Sequence, residues 1–398
     1  MTTVEKGLAA DILTQVMERA GEGRVAACIQ CGVCSGSCPV GHVMAFPPRL
    51  AIAAMRAGLV SRVVSSNTPW LCVGCLTCTS RCPSQVVIAE ALIPALREAL
   101  VADGTRVPAE LQTVFESASR YGNPLGQSPR KRGDWVRQCV SPVPLLPRTR
   151  EPVDVLWFVE CYPAYHPRAQ LVAKAMAELL NALGVRFGIL GDQELCSGDN
   201  FRLAGERGLF ESLVEKNLRT FAKYQFGEVV VCDPHAYNAL KNEYPRYGFK
   251  RPVHHYTQFL AARLGKLKPL LTEPLNKAVT FHDPCYLGRK NGIYDEPRQL
   301  LQAIPGLKLV EMSRNRENSL CCGGGAGGMW LDTYASQYAP SRLSEKRVVE
   351  ASKAGAQILA VACPLDLLRF EDAVKTQGLE GRLVVKDILE LLYEASGG

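Results

Sequence analysis

Eight cysteines fall into two copies of one pattern. Cys28, Cys31, Cys34 and Cys38 are followed by Pro39, and Cys72, Cys75, Cys78 and Cys82 by Pro83. A C-x2-C-x2-C-x3-C-P run puts three sulfurs on one tight loop, and the proline turns the chain away after the fourth. In this arrangement three cysteines of a run hold one cubane and the fourth crosses to the other. The spacing therefore assigns one [4Fe–4S] cluster to Cys28, Cys31, Cys34 and Cys82, and a second to Cys72, Cys75, Cys78 and Cys38. Zinc is the alternative for a lone C-x2-C pair. Two complete runs are far more specific, and thiolate is the soft ligand that iron–sulfur chemistry prefers.

Sixteen cysteines in all need a reason in a reducing compartment, where dense cysteine means metal more often than disulfide. A cytoplasmic protein is expected: no apolar run reaches the ~18–20 residues of a spanning helix, and residues 1–23 have no secretory pattern. The formal charge of +7 suggests a nucleic-acid partner at first sight. Two oxidised clusters with their thiolates, at about −2 each, would bring it to about +3. The aromatic residues are not interleaved with the basic ones as a base-stacking surface requires, so nucleic acid is not expected.

A chain of 398 residues suggests two or three domains. Residues 1–120 read as a helical ferredoxin-like domain, with an amphipathic helix over 3–20, a short helix over 48–59, and a run over 86–101 interrupted by Pro94. Residues 121–152 carry six prolines and six arginines or lysines and read as a linker or strap. From residue 153 strands alternate with helices. Strands over 153–159, 185–190 and 228–231 lead towards Cys161, Cys196 and Cys232. Strands over 278–282, 307–311 and 358–362 lead towards Cys285, Cys321 and Cys363. Helices are expected over 166–183, 203–224, 297–304 and 341–354. Cys161 and Cys285 lie 124 positions apart and Cys196 and Cys321 lie 125 apart, which marks an internal duplication. The expected fold class is α/β with an α-helical two-cluster module: an N-terminal domain, then duplicated halves at 153–270 and 271–398. Ligands of such sheets sit at the carboxyl ends of strands, where these cysteines lie.

Cys321 and Cys322 are adjacent and precede five glycines among six residues. Neighbouring side chains diverge on a strand or a helix, so two adjacent thiols converge on one object only from a loop. The glycines permit the positive φ that a loop wrapped around a cluster needs. Gly323-x-Gly325-x-x-Gly328 formally matches a dinucleotide fingerprint, but it follows two cysteines and not a strand, and is discounted.

Cys285, Cys321-Cys322-Gly323 and Cys363 resemble the cysteine-rich "CCG" domain of the heterodisulfide reductase family. With the two-cluster module before it, the chain is similar to the catalytic subunit of membrane-linked heterodisulfide reductase. It also resembles iron–sulfur subunits of glycolate, lactate and anaerobic glycerol-3-phosphate oxidation, and subunits of class II benzoyl-CoA reductase complexes. The stretches His282-Asp283-Pro284-Cys285-Tyr286-Leu287-Gly288, Arg316-Glu317-Asn318-Ser319 and Asn123-Pro124-Leu125-Gly126, followed by Arg130-Lys131-Arg132, carry the same likeness. The resemblance runs from about Cys28 to Leu392. In that family a full motif can bind a non-cubane [4Fe–4S] cluster through five cysteines.

Both halves depart from the full motif. In the second, Cys285, Cys321, Cys322 and Cys363 match, but Asp366 stands at the last position and is a candidate oxygen ligand. In the first, Cys161, Cys196 and Cys232 match, while Ser197 and His235 replace cysteines; three thiolates with His235 form a candidate second site. The resemblance implies an electron-transfer subunit of an oxidoreductase complex, with flavin- or iron–sulfur-containing redox subunits as partners and, for exposed clusters, an anaerobic setting. Cys285, Cys321, Cys322 and Cys363 are the candidate reactive site. The alternatives are a thiol–disulfide reductase acting at that cluster, the iron–sulfur subunit of a 2-hydroxyacid dehydrogenase, and a zinc scaffold. His282 is a candidate hydrogen-bond donor beside the cluster, whereas His166, His254 and His255 are expected to serve packing or face solvent.

Overall fold

The computed structural model describes residues 24–104 and 106–398, with Thr14 and Glu18. The helix expected over 3–20 lies outside the described residues apart from those two positions. The chain divides into two compact units. One holds the residues up to Phe115 together with Asn200–Phe210 and Gly323–Leu343; the other holds Glu116–Asp199, Glu211–Cys322 and Ser344–Gly398. The expected boundary near residue 120 is thus one of several, because the chain enters the first unit three times.

In the first unit the two cysteine runs wind alike. A left-handed residue precedes the second cysteine of each, Gln30 (φ 61°) and Gly74 (φ 61°), and another follows it, Gly32 (φ 86°) and Leu76 (φ 65°). Short helices then begin, Val33–Gly36 and Thr77–Ser80. For Leu76 the left-handed backbone costs roughly 1–2 kcal/mol, which burial of its side chain offsets. Pro48 opens the helix Pro48–Arg56 as expected. Pro94 does not break a helix but helps to start one: a single π turn, Ile88–Leu92, ends where the helix Ile93–Asp103 begins. Proline in a first turn loses no hydrogen bond. The two later segments join this unit through aromatic packing: Phe201 stacks on Trp330 at 5.7 Å and meets Phe115 edge-on at 6.2 Å.

The second unit holds two four-stranded parallel sheets. The first is β1 (Val153–Phe158), β2 (Phe187–Gly188), β3 (Phe226–Val231) and β4 (Val253–His255), in the order β2-β1-β3-β4. The second is β5 (Ala278–Phe281), β6 (Lys308–Leu309), β7 (Ile358–Val361) and β8 (Val384–Asp387), in the order β6-β5-β7-β8. The same strand order in both halves is the structural form of the duplication. Apolar runs such as Ile358-Leu359-Ala360-Val361, buried throughout, are what a parallel strand covered on both faces requires. The edge strands β4 and β8 have no counterpart in the sequence reading.

Helices Pro167–Ala182, Asp295–Ala303 and Leu343–Lys353 stand where expected. The expected helix over 203–224 is two, Asp199–Leu203 and Arg207–Phe221, separated at Gly205 (φ 94°). Residues 121–152 are not a free linker. They belong to the second unit, where Trp135 is fully buried with its ring 5.4 Å from Trp157 of β1, and Leu145 bridges to Ile189. The two halves are tied together by Arg168, which pairs with Glu371 and Glu390, and by the Tyr256 hydroxyl, which donates to Asp387 at 2.7 Å. Among the described residues no helix is long and apolar enough to cross a membrane.

Candidate metal centres

The eight N-terminal cysteines line two cavities, four to each. Cys28, Cys31, Cys34 and Cys82 line one cavity. Cys38, Cys72, Cys75 and Cys78 line another. Ile88 borders both and stands between them. The first cavity opens outwards at the exposed Cys31, whereas Cys75 and Cys78 of the second are buried. The Gln30 side chain donates to the Cys28 sulfur at 3.3 Å and the Val86 amide to the Cys82 sulfur at 3.3 Å. Burial and the neighbouring Cys75 and Cys72 push the Cys38 thiol up to about 12, and burial with the same neighbours pushes Cys78 well above its ordinary value. A bound metal would displace the protons of thiols crowded in this way. Four sulfurs around one cavity, twice over, fit a pair of four-iron clusters.

In the second half Cys285, Cys321, Cys322 and Cys363 are all buried. Cys322 hydrogen-bonds its neighbour Cys321. That bond and burial, with the charge of Asp366 and the proximity of Cys285, hold its thiol well above the usual range. Burial, then Asp366 and Asp233, does the same to Cys363. Asp366, the residue that departs from the motif, stands among these cysteines. Burial raises its carboxyl to about 7, although a hydrogen bond from Cys322 opposes the shift. The donor set of four thiols and one carboxyl fits a further cluster with an oxygen as its fifth candidate ligand.

Around this group the second half builds a support of arginines. Arg347 donates from Nε to Nδ1 of His282 at 3.0 Å and from its terminal nitrogens to the Arg314 carbonyl, Ser319 Oγ and Glu350. Arg369 Nε donates to the Cys322 carbonyl at 3.2 Å. Arg298 forms a two-pronged bond to Asp283, and Asp283 accepts the Arg316 amide at 2.7 Å. His282 Nε2 lies 3.5 Å from Asp366 Oδ2. Burial and the positive charges of Arg347 and Arg289 keep this imidazole well below its ordinary pKa, and so neutral.

The first half is expected to gather Cys161, Cys196, Cys232 and His235. It brings together Cys161, Cys196 and Glu160, whose donor atoms lie within 4.8 Å of one another. Cys232 is buried facing Asp387 and Asp233. His235 Nδ1 is 2.8 Å from Asp199 Oδ2, and Asn238 bonds the other oxygen of Asp199. Burial works against charge on His235, but Asp199 prevails and its pKa is raised. Its ring lies 4.2 Å from that of Tyr286, the residue after Cys285. A side chain expected to serve the first half therefore stands over the cysteine loop of the second.

Glu160 has φ 72° and ψ 174°, a conformation almost confined to glycine. Its carboxylate accepts the Cys161 and Ser197 amides, both at 2.9 Å, and braces the two cysteine loops against each other. Glu194 accepts the Val159 and Glu160 amides and pairs with Arg132, whose other terminal nitrogen reaches the Cys161 sulfur at 3.5 Å. Glu160 and Glu194 were not singled out in the sequence. Their signal is an acidic residue one or two places before each cysteine, in Glu160-Cys161 and Glu194-Leu195-Cys196, within otherwise buried surroundings.

Comparison with known proteins agrees with this division. Residues 24–86 match the 4Fe-4S dicluster domain family, so the N-terminal module is one that carries two [4Fe–4S] clusters. Residues 155–241 and 279–367 each match the cysteine-rich domain family, CCG. The chain is 36% identical to the probable iron-sulfur-binding oxidoreductase FadF of Bacillus subtilis, over 85% of this chain and 48% of that protein. It is 35% identical to the EtfAB:quinone oxidoreductase of Syntrophomonas wolfei, over 86% of this chain and 48% of that one. The chain thus spans about half the length of these two relatives. With a dihydromethanophenazine:CoB–CoM heterodisulfide reductase subunit of Methanosarcina barkeri it shares 30% identity over 93% of this chain and 94% of that protein. A dicluster module followed by two CCG repeats places the chain in the iron–sulfur oxidoreductase family that includes this heterodisulfide reductase subunit.

Proposed function

We propose that the chain is an iron–sulfur electron-transfer subunit of a larger oxidoreductase complex. The observation that carries this reading is the sorting of eight cysteines into two sets of four that share Ile88 as a partition. The clusters, when bound, supply one-electron redox steps; the residues of this chain hold them and exclude water. Cys28, Cys31, Cys34 and Cys82 ligate one cluster, and Cys38, Cys72, Cys75 and Cys78 the other. Cys285, Cys321, Cys322 and Cys363 would hold a third, with Asp366 as a further candidate ligand among them. In the first half Cys161 and Cys196 stand with Glu160, and Cys232 and His235 complete the candidate donors for one more cluster; the Asp199 carboxylate on Nδ1 is the kind of support a ligating imidazole has.

The partners in this reading are flavin- or iron–sulfur-containing redox subunits, in keeping with relatives named as a quinone oxidoreductase of EtfAB and as a heterodisulfide reductase subunit. A cytoplasmic, anaerobic setting goes with exposed, oxygen-sensitive clusters such as the one beside Cys31. Catalysis of disulfide reduction by the chain itself is the second reading, favoured by the heterodisulfide reductase relative but opposed by the carboxyl of Asp366 at a thiolate position.

Anaerobic purification with iron, sulfide and zinc analysis tests the proposal. A brown protein with at least about 12 iron atoms, four for each of three clusters, is expected. A colourless protein with stoichiometric zinc would overturn it. Reduction of a disulfide substrate by the isolated chain with a low-potential donor would favour the second reading.

A further inference from the structure

The first cysteine of each run offers its carbonyl to an arginine. Arg56 donates to the Cys28 carbonyl at 2.7 Å, and Arg97 to the Cys72 carbonyl at 2.5 Å. The two arginines differ in their surroundings. Arg56 is exposed. Arg97 has no solvent exposure, lies on the ring of Trp70 at 5.4 Å, and donates also to the carbonyls of Pro69, Leu203 and Ala326. A guanidinium does not deprotonate in a protein, so Arg97 is a fixed buried cation. Its field is roughly fourfold stronger at the effective dielectric of a protein than in water, where Arg56 is screened.

Arg97 is also a structural junction of the first unit. Its carbonyl partners come from the Cys72 loop, from the segment Asn200–Phe210 and from the glycine loop that follows Cys322 in sequence. The approach is close enough that a side chain at Gly205 would stand 2.5 Å from the Arg97 backbone, and one at Gly74 would stand 2.7 Å from Ala326 Cβ. The Ala326 amide donates to Asn200 Oδ1 at 3.0 Å, which closes the knot.

We infer that Arg97 is the positioning residue that sets the reduction potential of one cluster, the one held by Cys38, Cys72, Cys75 and Cys78. Reduction adds an electron to a site already negative, and a buried cation bonded to a ligand residue favours the reduced form. Arg97 therefore raises the potential of this cluster selectively and makes it the electron sink of the pair. The inference rests on the reading of the eight cysteines as two cluster sites.

The test compares wild type, Arg97→Gln, Arg97→Lys and Arg56→Gln, each purified anaerobically with its clusters. Potentiometric titration is followed by electron paramagnetic resonance. The signal lost in Cys72→Ser identifies the cluster in question. In Arg97→Gln this signal alone should become harder to reduce, by tenfold or more in its equilibrium constant, equivalent to 59 mV for one electron. In Arg97→Lys it should move the same way by less, and Arg56→Gln should move neither signal. Two signals that both stay put, or that shift equally, would overturn the inference. If Arg97→Gln loses both clusters, the lysine variant decides. A selective change of the Cys72-dependent signal there supports the inference, and no change or loss of both clusters defeats it. Wild-type protein without four-iron signals would instead defeat the underlying reading.

Discussion

Arg347 Nε points at Nδ1 of His282 from 3.0 Å, which leaves the imidazole proton on Nε2, facing Asp366 across 3.5 Å. Arginine is always a donor, so it fixes the tautomer of a neutral histidine beside the proposed third cluster. Removing the guanidinium leaves His282 Nδ1 and Ser319 Oγ without their donor, while Glu350 keeps Arg314 and Ser313. Arg347→Met should cost about 1–3 kcal/mol, the scale for buried polar groups left unsatisfied. Chemical denaturation followed by circular dichroism measures it. A loss below about 1 kcal/mol would contradict this role.

The crossed ligand sets make an asymmetric prediction. Cys82→Ser should abolish the same resonance signal as Cys28→Ser, and Cys38→Ser the same signal as Cys72→Ser. Each change should remove about four iron atoms. Pairing by run, with Cys82 acting together with Cys72, would refute the assignment.

Arg132 and Glu194 are both buried beside Cys161. Arg132→Met leaves the buried Glu194 without its cation and should cost about 3–5 kcal/mol. The double variant Arg132→Met with Glu194→Gln should recover part of that loss. A double-mutant cycle from denaturation midpoints gives the coupling, expected at about 1–3 kcal/mol. Simple additivity would show that the two residues do not act as a pair.

The fully buried His255 has its pKa lowered to about 3, because burial outweighs its hydrogen bonds to the Cys232 and Ala362 carbonyls. In the unfolded chain the same ring titrates near its ordinary value of about 6.5. Between these values the unfolded state binds the extra proton, so stability is full above pH ~6.5 and falls as the pH drops towards ~3, at up to about 1.4 kcal/mol per pH unit. His255→Asn keeps an acceptor at the start of helix Tyr256–Ala261 but cannot titrate. Its stability difference from wild type should shrink as the pH is lowered from 7.5 to 5.5, and a difference independent of pH would exclude His255 as the source.

Much of the fold is legible because its signals are local. Proline after a fourth cysteine, apolar runs such as Val153–Phe158, and repeats of 124 and 125 residues mark loops, strands and duplication without knowledge of the packing. β4 and β8 escape notice because Val253-His254-His255 and Val384-Val385-Lys386-Asp387 are short and mixed in polarity; pairing with β3 and β7 makes them strands. The helix over 203–224 is misjudged for a related reason. Its periodicity continues across Gly205, but that residue must let a backbone come within contact distance of Arg97.

The candidate sites follow the same rule. Cysteine spacing reveals which sulfurs share a loop, and so the N-terminal sets can be read directly. Arg97, Glu160 and Glu194 act through contacts across 25 to 229 positions, or through a backbone conformation that no local pattern announces. His235 is the instructive case: motif counting singles it out in the first half, but its bond to Asp199 and its ring contact with Tyr286 of the second half are announced by no local pattern.

The contact of His235 with Tyr286 makes the duplication unequal in use as well as in sequence. A ring carried by the first repeat lies 4.2 Å from that of the residue after Cys285 in the second, so a change at position 235 reaches the cysteine loop of the other copy.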